Sequence, residues 1–215
     1  MHPLRHALDA AATGEYPPVD GRFERHDPDR PGTAAIVEFT GHSFVLCDEP
    51  HEVLAAAGAD GFGGASHPAV TQLLAGAHGT IGSHDAVLVA AGTRPATGSD
   101  PLPVRTDLDE HPRVIRAREH RDGVVVHGDA EGFVTIGQGL VGRTEISVEL
   151  LGDHGHHGHH GRGHGRRLIA SGLDLVPPTE WVWAQVAPGN AASLRAFLAC
   201  GFVPVAAETL VTTRR

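Results

Sequence analysis

Lysine is absent from the 215 residues, all 17 basic side chains being arginine. With alanine, glycine, proline and histidine abundant, this reflects genomic codon bias more than chemistry. Cysteine is scarce: Cys47 and Cys200 stand far apart with no C-x-x-C spacing, which excludes a disulfide framework and a thiolate zinc site and leaves two buried thiols. No apolar run approaches the roughly 18 residues that a membrane span needs. Residues 1–12 mix His, Arg and Asp without the apolar stretch of a secretory signal. A soluble, cytoplasmic protein is expected. Positive charge is in deficit too: the formal net charge of −9 opposes binding to a phosphate backbone and weakly suits a cationic small molecule or peptide amine. Neither a nucleic-acid nor a membrane partner is therefore expected.

A hydrophobic content of 40 % with 20 % charged residues is ordinary for a globular chain, and the length allows one substantial core or a core with a small second unit. Residues 1–32 carry Pro17, Pro18, Pro28 and Pro31 among charges without periodicity, and read as irregular. Short β-branched runs at 34–39 and 43–47 predict two strands around the turn Thr40-Gly41-His42. Asp48 before Pro50 predicts a capped helix over 51–58, and Ser66 and Pro68 open another with Val70, Leu73 and Leu74 on one face. Residues 86–91 read as a strand, and 92–103, with three prolines, as an internal boundary. Beyond it, 114–119, 124–127, 133–137 and 144–150 read as a meander of antiparallel strands.

After the last of these strands comes a glycine- and histidine-rich stretch, 152–165, and then an amphipathic helix bearing Leu168, Ile169, Leu173 and Val176. Strand, glycine loop and helix in that order build an anion site: glycine lets backbone approach a ligand, and the free amides and dipole at a helix start attract negative charge. A pyrophosphate fits it. Arg162, Arg166 and Arg167 lie at the cation-unfavourable end of the helix unless something anionic sits beside them. Residues 180–186 then read as a strand, Asn190 caps a helix bearing Leu194, Phe197 and Leu198, Gly201 ends that helix, and 202–206 with 209–213 close as two strands.

His160-Gly161-Arg162-Gly163-His164-Gly165 resembles the Gln/Arg-x-x-Gly-x-Gly/Ala acyl-CoA loop of the GNAT N-acetyltransferase superfamily. Asn190-Ala191-Ala192-Ser193, Phe197 and Gly201-Phe202 are similar to that family's Asn-x-x-Ser/Ala, aromatic, Gly-Phe pattern. The resemblance covers residues 113–215. It implies an α/β fold with a mixed, mostly antiparallel sheet flanked by helices and splayed at the cofactor site. It implies a single domain over 1–215, with 1–110 the variable, substrate-side portion and 111–215 the acetyl-CoA-binding core. Acetyl-CoA would be the co-substrate, its pantetheine along 144–150 and its pyrophosphate in the loop, with His160, Gly161, Arg162, Gly163, His164, Gly165, Arg166, Asn190, Ser193 and Phe197 lining it. A primary amine of a small molecule or peptide would attack the thioester directly, with Glu145 or Glu149 as base; the alternative for either carboxylate is an ordinary solvent-facing strand position.

Two departures stand out. Phe197 occupies the position where many members carry a proton-donating tyrosine, and it cannot donate one; the only tyrosine is Tyr16. His160 stands where Gln or Arg is usual, and the stretch before the loop is longer than typical. Two rival readings follow: a non-catalytic acyl-CoA-binding module, which Phe197 favours, and a metal-handling protein built on His154, His156, His157, His159, His160 and His164. That run lacks the acidic or thiolate partners of a fixed site, so no metal ligand is assigned. A homodimer is compatible with the sequence.

Overall fold

The computed structural model describes residues 2–95, 100–152 and 163–213. These fall into two compact units, residues 1–87 with 204–215 and residues 88–203. In the first, α1 (Pro3–Ala12) precedes β1 (Arg22–His26), β2 (Thr33–Phe39) and β3 (His42–Leu46), followed by α2 (His51–Ala56), α3 (Pro68–Ala75) and the start of β4 (Thr80–Ala91). The second holds the end of β4, α4 (Pro112–His120), β5 (Asp122–Gly128), β6 (Gly132–Gln138), β7 (Thr144–Leu150), α5 (His164–Leu173), β8 (Trp181–Val186) and α6 (Ala191–Ala199). The last strand, β9 (Val203–Thr212), returns to the first unit.

In the first unit the strand order is β1-β3-β2-β9, followed by β4; in the second it is β4-β8-β7-β6-β5. β2 pairs antiparallel with β3 and β9, as does β6 with β5 and β7, whereas β1–β3 and β7–β8 are parallel. The fold is therefore α/β, with a mixed and mostly antiparallel sheet and flanking helices. The first core gathers Ile36, Val45 and Val211 from the strands under Leu54 of α2 and Val70 and Leu74 of α3. In the second unit one sheet face packs Phe133 and Val126 against Val114 of α4. The other receives α5, where Gly172 lets the helix sit down on Ile146 and Val134: a Cβ there would collide with the Ile146 side chain.

Several elements differ from the sequence expectation. Residues 3–12 form a helix that buries Leu4, Leu8 and Ala11 on one face, and 22–26 form a strand, so these two segments are packed structure, while 13–20 between them are mostly exposed and without helix or strand. Residues 112–120 form a helix instead of a strand: Val114 and Ala117, at i and i+3, are its buried positions, and Arg118 complements the dipole in its last turn. The 202–206 and 209–213 pair is one strand, β9, registered on β2 from Thr33↔Thr212 to Glu38↔Ala207. The first half of β4, exposed along 80–84, extends the strand expected at 86–91. Asp48 does not cap α2, which has Pro50 at its N-cap and no side-chain bond there; α3 is capped by His67 and not by Ser66.

Candidate functional site

The parallel pair β7–β8 is registered only at Thr144↔Val182 and Glu145↔Trp183, after which the two strands part while β7 stays fully paired to β6. A sheet that opens in this way presents strand backbone to whatever enters the gap, because the groups beyond the last rung have no neighbour strand. α5 begins beyond the described end of β7, with Gly163 at its N-cap. Gly163 holds φ +88°, a left-handed conformation natural to glycine, and no side chain among the described residues caps the helix. A Cβ added at Gly165 would meet nothing within 4 Å among the described residues. Among the expected loop residues, His160, Gly161 and Arg162 lie outside the described residues, as do His154, His156, His157 and His159.

The cations of that first turn have anionic neighbours within the protein. Arg167 contacts Asp129 at 2.8 Å and Glu131 at 2.7 Å, both on the β5–β6 turn, and His164 Nδ1 lies 2.8 Å from Glu131. Hydrogen bonds from His164 and then Arg167 hold the Glu131 carboxyl below its ordinary range. The charge conflict at the helix start is thus answered, for Arg167, by the carboxylates of Asp129 and Glu131. Arg166 is exposed, and its carbonyl accepts from Cys200 Sγ at 3.4 Å. Burial raises the Cys200 thiol, which suits packing and not nucleophilic attack.

Glu145 and Glu149 share one sheet face, with Ser147 between them. Glu145 is 5 % exposed: Oε1 accepts from Arg143 Nε at 2.7 Å and from the Leu140 amide at 3.3 Å, and Oε2 accepts from Arg121 Nε at 2.7 Å. Burial pushes its carboxyl up, but the charges and hydrogen bonds of Arg143 and Arg121 outweigh that and hold it down. A proton acceptor so firmly ionised and so fully engaged is a poor base and a strong anchor. Glu149 is more open, about one-third exposed, with its Oε2 2.9 Å from Arg113 of α4.

Arg121, which joins α4 to β5, was not singled out by sequence, yet it links three strands. Besides Glu145 on β7 it donates to Thr135 Oγ1 on β6 at 3.2 Å and to Gln185 Oε1 on β8 at 3.4 Å, and Thr135 bonds Ser147 Oγ at 2.6 Å. Arg143, fully buried, places its guanidinium 5.9 Å from the Trp183 ring centroid. The turn that carries Arg143 is tight: Val141 adopts φ 49°, uncommon for a β-branched residue, and Gly139 is needed because a Cβ there would overlap the Glu145 carboxylate.

Asn190 caps α6, its Oδ1 accepting from the Ser193 amide at 3.1 Å. Phe197 is buried, edge-on to Phe202 with centroids 4.9 Å apart, so its side chain packs the core. Among the described residues no group of three His, Cys, Asp or Glu side chains is placed to hold a metal ion, and no helix is long and apolar enough to cross a membrane.

No family model matches the sequence, and no curated protein matches it. Solved structures similar in chain path include a GCN5-related N-acetyltransferase from Kribbella flavida, 17 % identical with a TM-score of 0.41, over 69 % of this chain and 65 % of that one. Another, a protein assigned to the GNAT family from Novosphingobium aromaticivorans, is 16 % identical with a TM-score of 0.38, over 63 % of this chain and 66 % of that one. The matched part thus spans just under two thirds of either relative's length.

Proposed function

We propose that the chain is an acetyl-CoA-dependent N-acetyltransferase of the GNAT type, acting on a primary amine. The observation that carries this reading is the parting of β7 and β8 immediately after Glu145↔Trp183, on a sheet whose next helix starts at a left-handed glycine. Unpaired strand backbone matches the amide-rich pantetheine arm, and a helix start that no described side chain caps matches a pyrophosphate. Bound there, acetyl-CoA supplies an activated acyl carbon. The acceptor nitrogen forms its bond to that carbon as the C–S bond breaks; the nitrogen sheds a proton and the departing thiolate gains one.

In this reading Glu149 takes the proton from the amine, directly or through water, because it keeps solvent contact and only one of its oxygens has a described partner. Glu145 holds Arg143 and Arg121 in place and keeps the β6–β7 turn folded. Phe197 supplies no proton, so water protonates the thiolate. The negative formal charge and the carboxylates near the gap suit a cationic acceptor. A second reading, binding of acyl-CoA without turnover, is favoured by the buried Phe197.

The test is release of free thiol from acetyl-CoA in the presence of a panel of small primary amines and peptide N-termini, with Glu149→Gln as control. Amine-dependent thiol release that falls about 10²-fold or more in the variant supports the enzyme reading. Binding of acetyl-CoA with no amine-dependent release supports the binding module.

A further inference from the structure

β8 carries two buried side-chain N–H donors on the face it shares with Glu145 and Arg121. Neither Trp183 Nε1 nor Gln185 Nε2 has a hydrogen-bond partner among the described residues, and Trp183 is fully buried. Which end of the Gln185 amide faces the protein follows from chemistry. A guanidinium can only donate, so the atom 3.4 Å from Arg121 must be Oε1, and the amide nitrogen is turned the other way. Arg121 is itself fixed by Glu145 and Thr135, so the Gln185 side chain is aimed and not free to rotate. A buried donor with no acceptor is costly, and native structures keep few of them.

The place of these donors is as specific as their state. Trp183 is on the last paired rung of β7–β8, and Gln185 is two residues further along, where β7 has left. Successive side chains alternate across a strand, so residues 183 and 185 point the same way. Both groups are neutral and lie beside strand backbone, not beside the exposed first turn of α5. Neutral buried donors suit a carbonyl oxygen, whose negative charge grows during reaction, better than a phosphate that arrives charged.

We infer that Gln185 Nε2 and Trp183 Nε1 bind the acyl carbonyl oxygen of the thioester and stabilise it as the amine attacks. This inference rests on the acetyl-CoA reading above. No proton moves to or from either side chain: the carbonyl oxygen accepts their hydrogen bonds while the nitrogen–carbon bond forms and the carbon–sulfur bond breaks.

The test compares acetyl-CoA with CoA, which lacks the acyl group, on wild type, Gln185→Glu and Trp183→Phe. Gln185→Glu keeps the shape and the acceptor facing Arg121 but replaces the donor; Trp183→Phe keeps an aromatic ring without the N–H. Thermal melts check that both variants are folded, and a variant that is not is replaced by Gln185→Met. The expected result is a several-fold loss of acetyl-CoA affinity with CoA affinity unchanged, and a fall in kcat of about 10²-fold for each single variant. Unchanged kcat together with the wild-type ratio of acetyl-CoA to CoA affinity overturns the inference and leaves the acetyltransferase reading standing. Wild type that binds neither ligand overturns both.

Discussion

Three helices of this protein start on the same two residues, histidine then proline, and in each the imidazole does the work usually given to Ser, Thr, Asp or Asn. His2 Nδ1 accepts from the Leu4 amide at 3.1 Å, His67 Nδ1 from the Ala69 amide at 3.3 Å, and His111 Nδ1 from the Arg113 amide at 3.2 Å. Each bond satisfies one of the amides that a helix start leaves open, and the proline at the next position has no amide to satisfy. Losing such a cap costs about 1 kcal/mol, within a range of roughly 0.5–2. At His111 the ring also sits edge-on to Phe133, with centroids 5.0 Å apart, an aromatic contact worth about 0.5–1.5 kcal/mol beyond its burial. His111→Ala is therefore expected to lower unfolding stability by about 1.5–3 kcal/mol, and His111→Asp, which keeps a capping acceptor and adds a charge the dipole favours, by about 1 kcal/mol less. His67→Ala, where no described ring contacts the imidazole, should cost about 1 kcal/mol. Denaturant titration followed by circular dichroism measures all three. His111→Ala within 0.3 kcal/mol of wild type, or His111→Asp no better than His111→Ala, would refute histidine capping. Acid provides a further check at His2, where burial, and after it the nearby His26, holds the imidazole below its ordinary value against the opposing pull of Asp29. A group depressed on folding contributes stability that is complete above its unfolded value of about 6.5 and is lost as pH falls through the lower folded one. His2→Asn should remove that share of the acid sensitivity.

Other consequences can be measured the same way. Glu145→Gln removes the buried carboxylate from two guanidiniums, and breaking such a pair from one side is expected to cost roughly 3–5 kcal/mol in a melt or denaturant titration; a loss below 1 kcal/mol would mean that Glu145 is not the anchor described here. Because that carboxyl is held down in the folded state, its contribution should also fade as pH falls below its unfolded value of about 4.3. Gly172→Val drives a side chain into Ile146 under α5, and about 1–3 kcal/mol of stability should go with it.

The elements that sequence identifies well are those with ordinary punctuation. Asn190 announces α6, and the alternation at 181–186 and 144–150 announces the strands that part. The elements misread are those opened by histidine. α4 begins at His111-Pro112 and, without a familiar cap, the β-branched Val114 and Ile115 suggest a strand; α1 begins at His2-Pro3 in a segment whose prolines suggest irregular structure. At α3 the helix is legible but its cap is displaced by one residue, from Ser66 to His67. The site divides along a similar line. The glycines of the loop and the candidate carboxylates stand out locally, but the bonds from Arg121 to Thr135, Glu145 and Gln185 join residues 14, 24 and 64 positions apart. No local pattern marks them, because they exist only once β6, β7 and β8 lie side by side. Phe197 was legible as an aromatic helix position, and the packing on Phe202 gives that aromatic a structural reason to be there.

The most direct measurement is isothermal calorimetry of acetyl-CoA with wild type and with Gly165→Glu. Gly165 meets no other described residue within reach of an added Cβ and sits in the first turn of α5, where a glutamate favours the helix, so the variant should fold as well as wild type while presenting a negative charge to any phosphate there. The account predicts saturable one-to-one binding by wild type and at least a tenfold loss in the variant. Equal affinity in the two proteins, or no binding by wild type, would contradict it.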